Sequence, residues 1–240
     1  MTSNDPGRSR LATQHPKLYL VAHVVAGMLF TAALLWGFAS IADAVGDNGR
    51  VAAADAGLTG WIQGHGTEWG EAIFSYVSLL GSSVLVAVIV IAAAVYARRR
   101  DWLRAATLAL STASGAGLNT LLKHLFHRGR PEYATEFITH ASWSFPSGHA
   151  MDSMVGYGIL LVVLLDAIRT RGKRRFLIAG VVVLIVAIGT SRVYLGVHYL
   201  TDVVAGWFAG GAWLFVCITA YHFAKRRRVL ASPAPGEPAR

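Results

Sequence analysis

Three short stretches carry most of the side chains that could do chemistry: KHLFHRGRP from Lys123 to Pro131, PSGH from Pro146 to His149, and SRVYLGVHYLTD from Ser191 to Asp202. Lys123, Arg130 and Arg192 supply fixed positive charge. Pro146, Ser147 and Gly148 read as the opening of a helix, where the first backbone N–H groups lack intrahelical partners and the dipole favours an anion. His198 and Asp202 stand four residues apart, so on one helix they share a face about 6 Å apart along the axis. A carboxylate so placed can hold one imidazole nitrogen and leave the other free as nucleophile or base. This combination suits a phosphoryl group: cations and N–H donors, with Ser147 and Gly148 as the oxyanion donors, stabilise charge on its equatorial oxygens. A nucleophile and a general acid then occupy the two apical sides. Spacing alone does not say which of His149 and His198 attacks; the pairing with Asp202 favours His198, and leaves His149 within reach as proton donor. Simpler accounts exist for individual residues. Pro146 and Ser147 form an ordinary helix start, Arg128 reads equally well as a cation snorkelling to headgroups, and Asp152 is a helix-lining hydrogen-bonder with no catalytic role.

The elements that must position these residues are membrane helices. The chain of 240 residues is 54% hydrophobic and 15% charged, with mean hydropathy +0.47, more apolar than the roughly 45 to 50% of a soluble domain. Six stretches approach or exceed the roughly 20 residues a spanning helix needs: 18–42, 72–97, 102–122, 147–168, 176–195 and 199–224. The expected fold is all-α, a polytopic bundle of six transmembrane helices, flanked by a polar N-terminal tail over 1–17 and a basic, Pro-rich, disordered tail over 225–240. The first stretch is longer than a signal-peptide core and reads as a retained helix. The Gly-rich segment after it reads as a loop with a short interfacial helix around Val51 to Trp61.

Most of the 22 Lys and Arg fall in the N-terminal tail, the loops around Arg98–Arg104 and Arg169–Arg175, and the C-terminal tail. That face should be cytoplasmic, with both termini on it. Alternation then sends the third span's end at Lys123, the fourth's start at Ser147, the fifth's end near Arg192 and the sixth's start at His198 to the extracytoplasmic side. The formal charge of +9 is thus accounted for by topology, and nucleic-acid binding is not expected. Cys217 is the single cysteine, so no intrachain disulfide forms. There is no HExxH, Cys/His cluster or carboxylate-rich loop, so neither metal nor other cofactor is expected.

The three stretches together resemble the motifs K-x6-R-P, P-S-G-H and S-R-x5-H-x3-D of the type 2 phosphatidic acid phosphatase family of membrane lipid phosphatases, related to vanadium haloperoxidases. All three match in order and without a departure, and the resemblance runs over roughly 51–224. It implies that Lys123, Arg130 and Arg192, with Ser147 and Gly148, hold the phosphate. It further implies that His198 attacks phosphorus to give a phosphohistidine, Asp202 orients His198, and His149 protonates the leaving oxygen. The substrate it implies is a lipid phosphate or diphosphate of the outer leaflet of a cell membrane, an isoprenyl diphosphate such as undecaprenyl diphosphate first, phosphatidic acid or phosphatidylglycerophosphate next. The aromatic segment from Glu132 to Phe145 is a candidate gate, with Tyr133, Phe137 and Trp143 read as interface packers. Two competing classes are a transporter of a phosphorylated substrate, which would place its ionisable residues near the midplane of repeated halves, and a vanadate-dependent haloperoxidase using the same constellation.

Overall fold

The computed structural model describes residues 16–46, 49–133 and 142–231. Eight helices follow one another among them: α1 (Pro16–Gly46), α2 (Arg50–Gly64), α3 (Glu68–Leu79), α4 (Ser83–Arg98), α5 (Trp102–Phe126), α6 (Gly148–Leu165), α7 (Arg171–Tyr194) and α8 (Leu200–Ala231). The described chain is helical with connecting turns. Helices dominate because a segment in hydrocarbon must satisfy its backbone N–H and C=O groups within itself.

Among the described residues, five stretches are long and apolar enough to cross a bilayer: Gly27–Gly46, Glu68–Arg98, Gly148–Leu165, Arg171–Tyr194 and Leu200–Arg228. The second is α3 and α4 together, interrupted at 80–82, where the Tyr157 hydroxyl donates to the Leu80 carbonyl at 2.6 Å. α5 has ample length at 25 residues, but its middle is rich in Ser, Thr, Gly and Asn. Its buried residues Ser111, Gly115 and Asn119 are small or polar, so this helix presents part of its polarity to protein rather than to lipid.

α6 is the hub, packed against α4, α5, α7 and α8. Half of its apolar stretch is buried, against about a tenth for α1, which lies along α8 at the outside of the bundle. Leu85, Leu108, Ile159, Val163 and Ile188 from four different helices form the fully enclosed centre. The crossing of α6 and α8 is close because Gly206 and Gly210 form a small-xxx-small pair. A Cβ at Gly206 would stand 2.8 Å from the Ser147 carbonyl oxygen, and one at Gly210 would stand 2.9 Å from that of Met151. This contact brings the N-terminus of α6 against the first turns of α8.

Boundaries differ from the sequence expectation in places with physical causes. The interfacial helix is longer than expected, running from Arg50 to Gly64. α8 continues through Lys225 to Ala231, so the basic run RRR is helical rather than part of a disordered tail; Lys225 is drawn onto Asp166 at 2.7 Å. The remaining tail residues, 1–15 and 232–240, and Phe137 of the aromatic segment lie outside the described residues.

Candidate active site

Four helix ends meet. Lys123 is in the last turn of α5, Gly148 opens α6, Arg192 is in the last turn of α7, and Asp202 is in the first turn of α8. Arg130 follows α5, and His198 sits in the short turn between α7 and α8 rather than on the helix itself. The turn keeps the intended neighbourhood all the same. His198 Nδ1 lies 3.4 Å from Asp202 Oδ2, and the backbone N–H of Tyr199 donates to the same oxygen at 3.0 Å. Both residues are almost wholly enclosed, His198 at 2% and Asp202 at 0% exposure.

Asp202 fixes the imidazole with help that the motifs do not announce. The Ser144 hydroxyl donates to Asp202 Oδ2 and lies 3.3 Å from His198 Nδ1. The other carboxylate oxygen, Oδ1, accepts from Arg128 Nη1. With Nδ1 turned to the carboxylate, Nε2 is the free nitrogen, and it faces Arg130 Nη1 at 3.3 Å. Burial drives the His198 pKa far below the ordinary imidazole value; the Asp202 hydrogen bond and charge oppose that shift, while Arg130 and Lys123 reinforce it. The ring is therefore neutral near pH 7, the form that has a lone pair to offer.

Among the described residues the three motif cations form no ion pair with a carboxylate, and Arg130 and Lys123 lie within electrostatic reach of the His198 ring. Arg130 donates to the carbonyls of Val197 (2.7 Å) and Ser142 (3.0 Å) and to the Ser142 hydroxyl (2.9 Å). Lys123 donates to the Trp143 carbonyl, and Arg192 to the Ser78 hydroxyl on α3. Burial holds the Arg130 guanidinium below its ordinary pKa, against the pull of Asp202. Arg192, His198, Arg130 and Lys123 all lie within electrostatic reach of His149, whose ring rests against Gly81 in the break between α3 and α4.

Ser147 departs from the expected role in detail. Its backbone N–H is spent on the Asp202 carbonyl at 2.9 Å, so this amide is no oxyanion donor; the bond instead ties the N-terminus of α6 to α8. Its hydroxyl does not cap the helix and is buried with no hydrogen-bond partner among the described residues, as are Arg192 Nε and Asp152 Oδ1. Buried polar atoms are ordinarily satisfied, and here two orphaned donors belong to one cluster. Together with the first-turn N–H groups of Gly148 and His149, they offer an anion several donors at once.

Sequence reasoning missed Ser144, Ser78, Thr201 and Asp55, and left Arg128 between two readings. The structure decides for Arg128: it bridges Asp202 and Asp55, the latter at 2.9 Å, and stacks over the Tyr199 ring at 4.3 Å. Ser144 adjoins a quoted motif, but nothing in its spacing pointed across to Asp202. Asp55 had a faint signal, a lone acid in an Ala-rich helix.

The PAP2 superfamily profile matches residues 104–226. Phosphatidylglycerophosphatase B of Bacillus subtilis is 34% identical over 158 residues, covering 64% of this chain and 75% of that protein. Lipid A 4'-phosphatase of Bacteroides thetaiotaomicron is 32% identical over 131 residues, covering 50% of this chain and 54% of its own. The crystal structure of a transmembrane PAP2-type phosphatidylglycerolphosphate phosphatase from Bacillus subtilis superposes with a TM-score of 0.73 at 28% identity, covering 81% of this chain and 96% of that one. The chain belongs to the PAP2 superfamily. It is a multi-pass membrane lipid phosphatase of the PAP2 type.

Proposed function

We propose that the protein hydrolyses the phosphate of a membrane lipid at its extracytoplasmic face, through a phosphohistidine on His198. The observation that carries this reading is the His198–Asp202 pair together with three cations that hold no carboxylate and two donors, Ser147 Oγ and Arg192 Nε, that have no partner among the described residues. Lys123, Arg130, Arg192, Ser147 and the Gly148 N–H hold the equatorial oxygens. His198 Nε2 forms the N–P bond while the P–O bond to the lipid breaks, and the leaving oxygen takes its proton from His149. Water, giving a proton back to His149, then attacks phosphorus and releases inorganic phosphate and free His198. Every charge in this sequence is met by protein groups, so activity should withstand EDTA and be inhibited by vanadate, which mimics the five-coordinate phosphorus.

Topology follows from counting α5 as a span, which its length allows. Six spans place both termini on the Arg-rich cytoplasmic side and the site on the other. The unit is 18–224, with both tails outside the catalytic bundle.

For the headgroup, the relatives named for phosphatidylglycerophosphate and for lipid A favour a phosphomonoester on a lipid. An isoprenyl diphosphate such as undecaprenyl diphosphate is the second reading, because the motif residues address only the phosphoryl group that both share. Phosphate release from a detergent-solubilised panel of these lipids and soluble sugar phosphates decides among them. Equal turnover of the sugar phosphates would overturn the lipid assignment, and a phosphoenzyme trapped on any residue but His198 would overturn the mechanism.

A further inference from the structure

We propose that Asp55, on the interfacial helix α2, is a positioning residue for the His198–Asp202 pair and acts through Arg128; this rests on His198 being the nucleophile. Asp55 is only 4% exposed. Its Oδ2 accepts from Arg128 Nη2 at 2.9 Å and from the Thr201 hydroxyl, and its Oδ1 from the Thr201 N–H at 3.3 Å. Arg128 in turn donates through Nη1 to Asp202 Oδ1 and, at 2.8 Å, to Thr201 Oγ1. One guanidinium is thus clamped between two carboxylates, with the Tyr199 ring beneath it. The chain of contacts runs from Asp55 through Arg128 and Asp202 to His198.

A buried carboxylate is costly unless its partners are well placed, and α2 is otherwise a plain Ala-rich helix. What Asp55 secures is the direction of Arg128. That arginine lies beside a site built to attract phosphate, and with one carboxylate instead of two it would be free to turn toward the substrate anion. Asp202 would then lose its Oδ1 partner and its fixed rotamer, and the imidazole would lose its aim. Substrate binding would survive, since Lys123, Arg130 and Arg192 do not depend on Asp55 for any hydrogen bond described above. The signature is therefore a fall in kcat without a rise in KM.

The experiment compares purified wild-type protein with Asp55→Asn, Arg128→Met and the double variant, assayed for phosphate release from one lipid phosphate in detergent. Asp55→Asn should lower kcat by about 10- to 100-fold, the range for loss of a group that orients a reacting one, with KM and the vanadate inhibition constant within about twofold of wild type. The double variant should be no worse than the poorer single, because both act along one path. Wild-type kcat in Asp55→Asn, or losses that multiply in the double variant, would overturn the inference. Should Asp55→Asn fail to accumulate, Arg128→Lys keeps the charge but loses the two-sided fork; a kcat loss at constant KM is expected there, and an unchanged kcat would overturn it. Retained activity in His198→Ala would instead defeat the nucleophile assignment, and no phosphate release by wild type would defeat the proposed function.

Discussion

The same helices carry a charged cluster at each end, and the two differ in whether their cations are paired with carboxylates. At the end away from the candidate site, Asp166 after α6 accepts from Tyr221 at 2.6 Å and Lys225 at 2.7 Å on α8, and Arg104 of α5 reaches it at 3.5 Å while also pairing with Asp101. Burial alone would raise the Asp166 pKa, but the hydrogen bonds from Lys225 and Tyr221 outweigh it and hold the carboxyl below its ordinary value. Each carboxylate there has its cations. At the end that carries the candidate site, Lys123, Arg130 and Arg192 rest on carbonyls and hydroxyls, and Ser147 Oγ and Arg192 Nε have no hydrogen-bond partner among the described residues. A paired network fastens helices; under the proposed function, a cation cluster left short of anions receives one from the substrate.

Substitutions at the two ends should therefore separate cleanly. His198→Ala should abolish phosphate release, by about 10⁴-fold or more, as for removal of a nucleophile that works as part of a unit. Arg192→Ala should lower kcat/KM by about 10² to 10³-fold, the scale for one donor to developing charge, with the folded protein intact by size exclusion. Gly206→Val, which forces a Cβ into the Ser147 carbonyl, should push the start of α6 away from α8, costing about 1–3 kcal/mol of stability and about 10²-fold in kcat. The smallest effect belongs to the Asp166 end. Asp166→Asn should leave kcat within about twofold and lower the thermal midpoint by an amount worth about 1 kcal/mol or less, since the cluster is partly exposed. That difference should be present above the ordinary carboxylate range, about pH 4, and vanish as the pH falls through the lowered Asp166 value. A large activity loss in Asp166→Asn would erase the contrast between the two ends.

Much of the site was legible because its residues sit at helix ends, where short motifs in sequence map onto short distances in space. Lys123, Gly148, Arg192 and Asp202 all fall within the first or last turn of their helices, so hydropathy alone located them to within a turn. The break at 80–82 was not read from the sequence: Gly81, Ser82 and Ser83 interrupt the apolar run there, but nothing local shows that Tyr157, far along the chain, takes the Leu80 carbonyl. Ser147 shows the same limit at a single residue. Its place before a helix suggested a free amide, but Asp202, more than fifty positions later, consumes that N–H.

By itself the sequence determined the class of the molecule, the approximate helices and the chemistry on offer, because lipid demands long apolar segments and phosphate demands cations, donors and a nucleophile. Tertiary structure alone decided which donors remain open and which are spent, and brought Ser78 to Arg192, Ser144 and Arg128 to Asp202, and Asp55 to Arg128. The physical reason is that hydrogen bonds are short and directional. Whether a given N–H or guanidinium is free depends on backbones from distant segments meeting within about 3 Å, as α6 and α8 do over Gly206, and local residue patterns carry no record of that meeting.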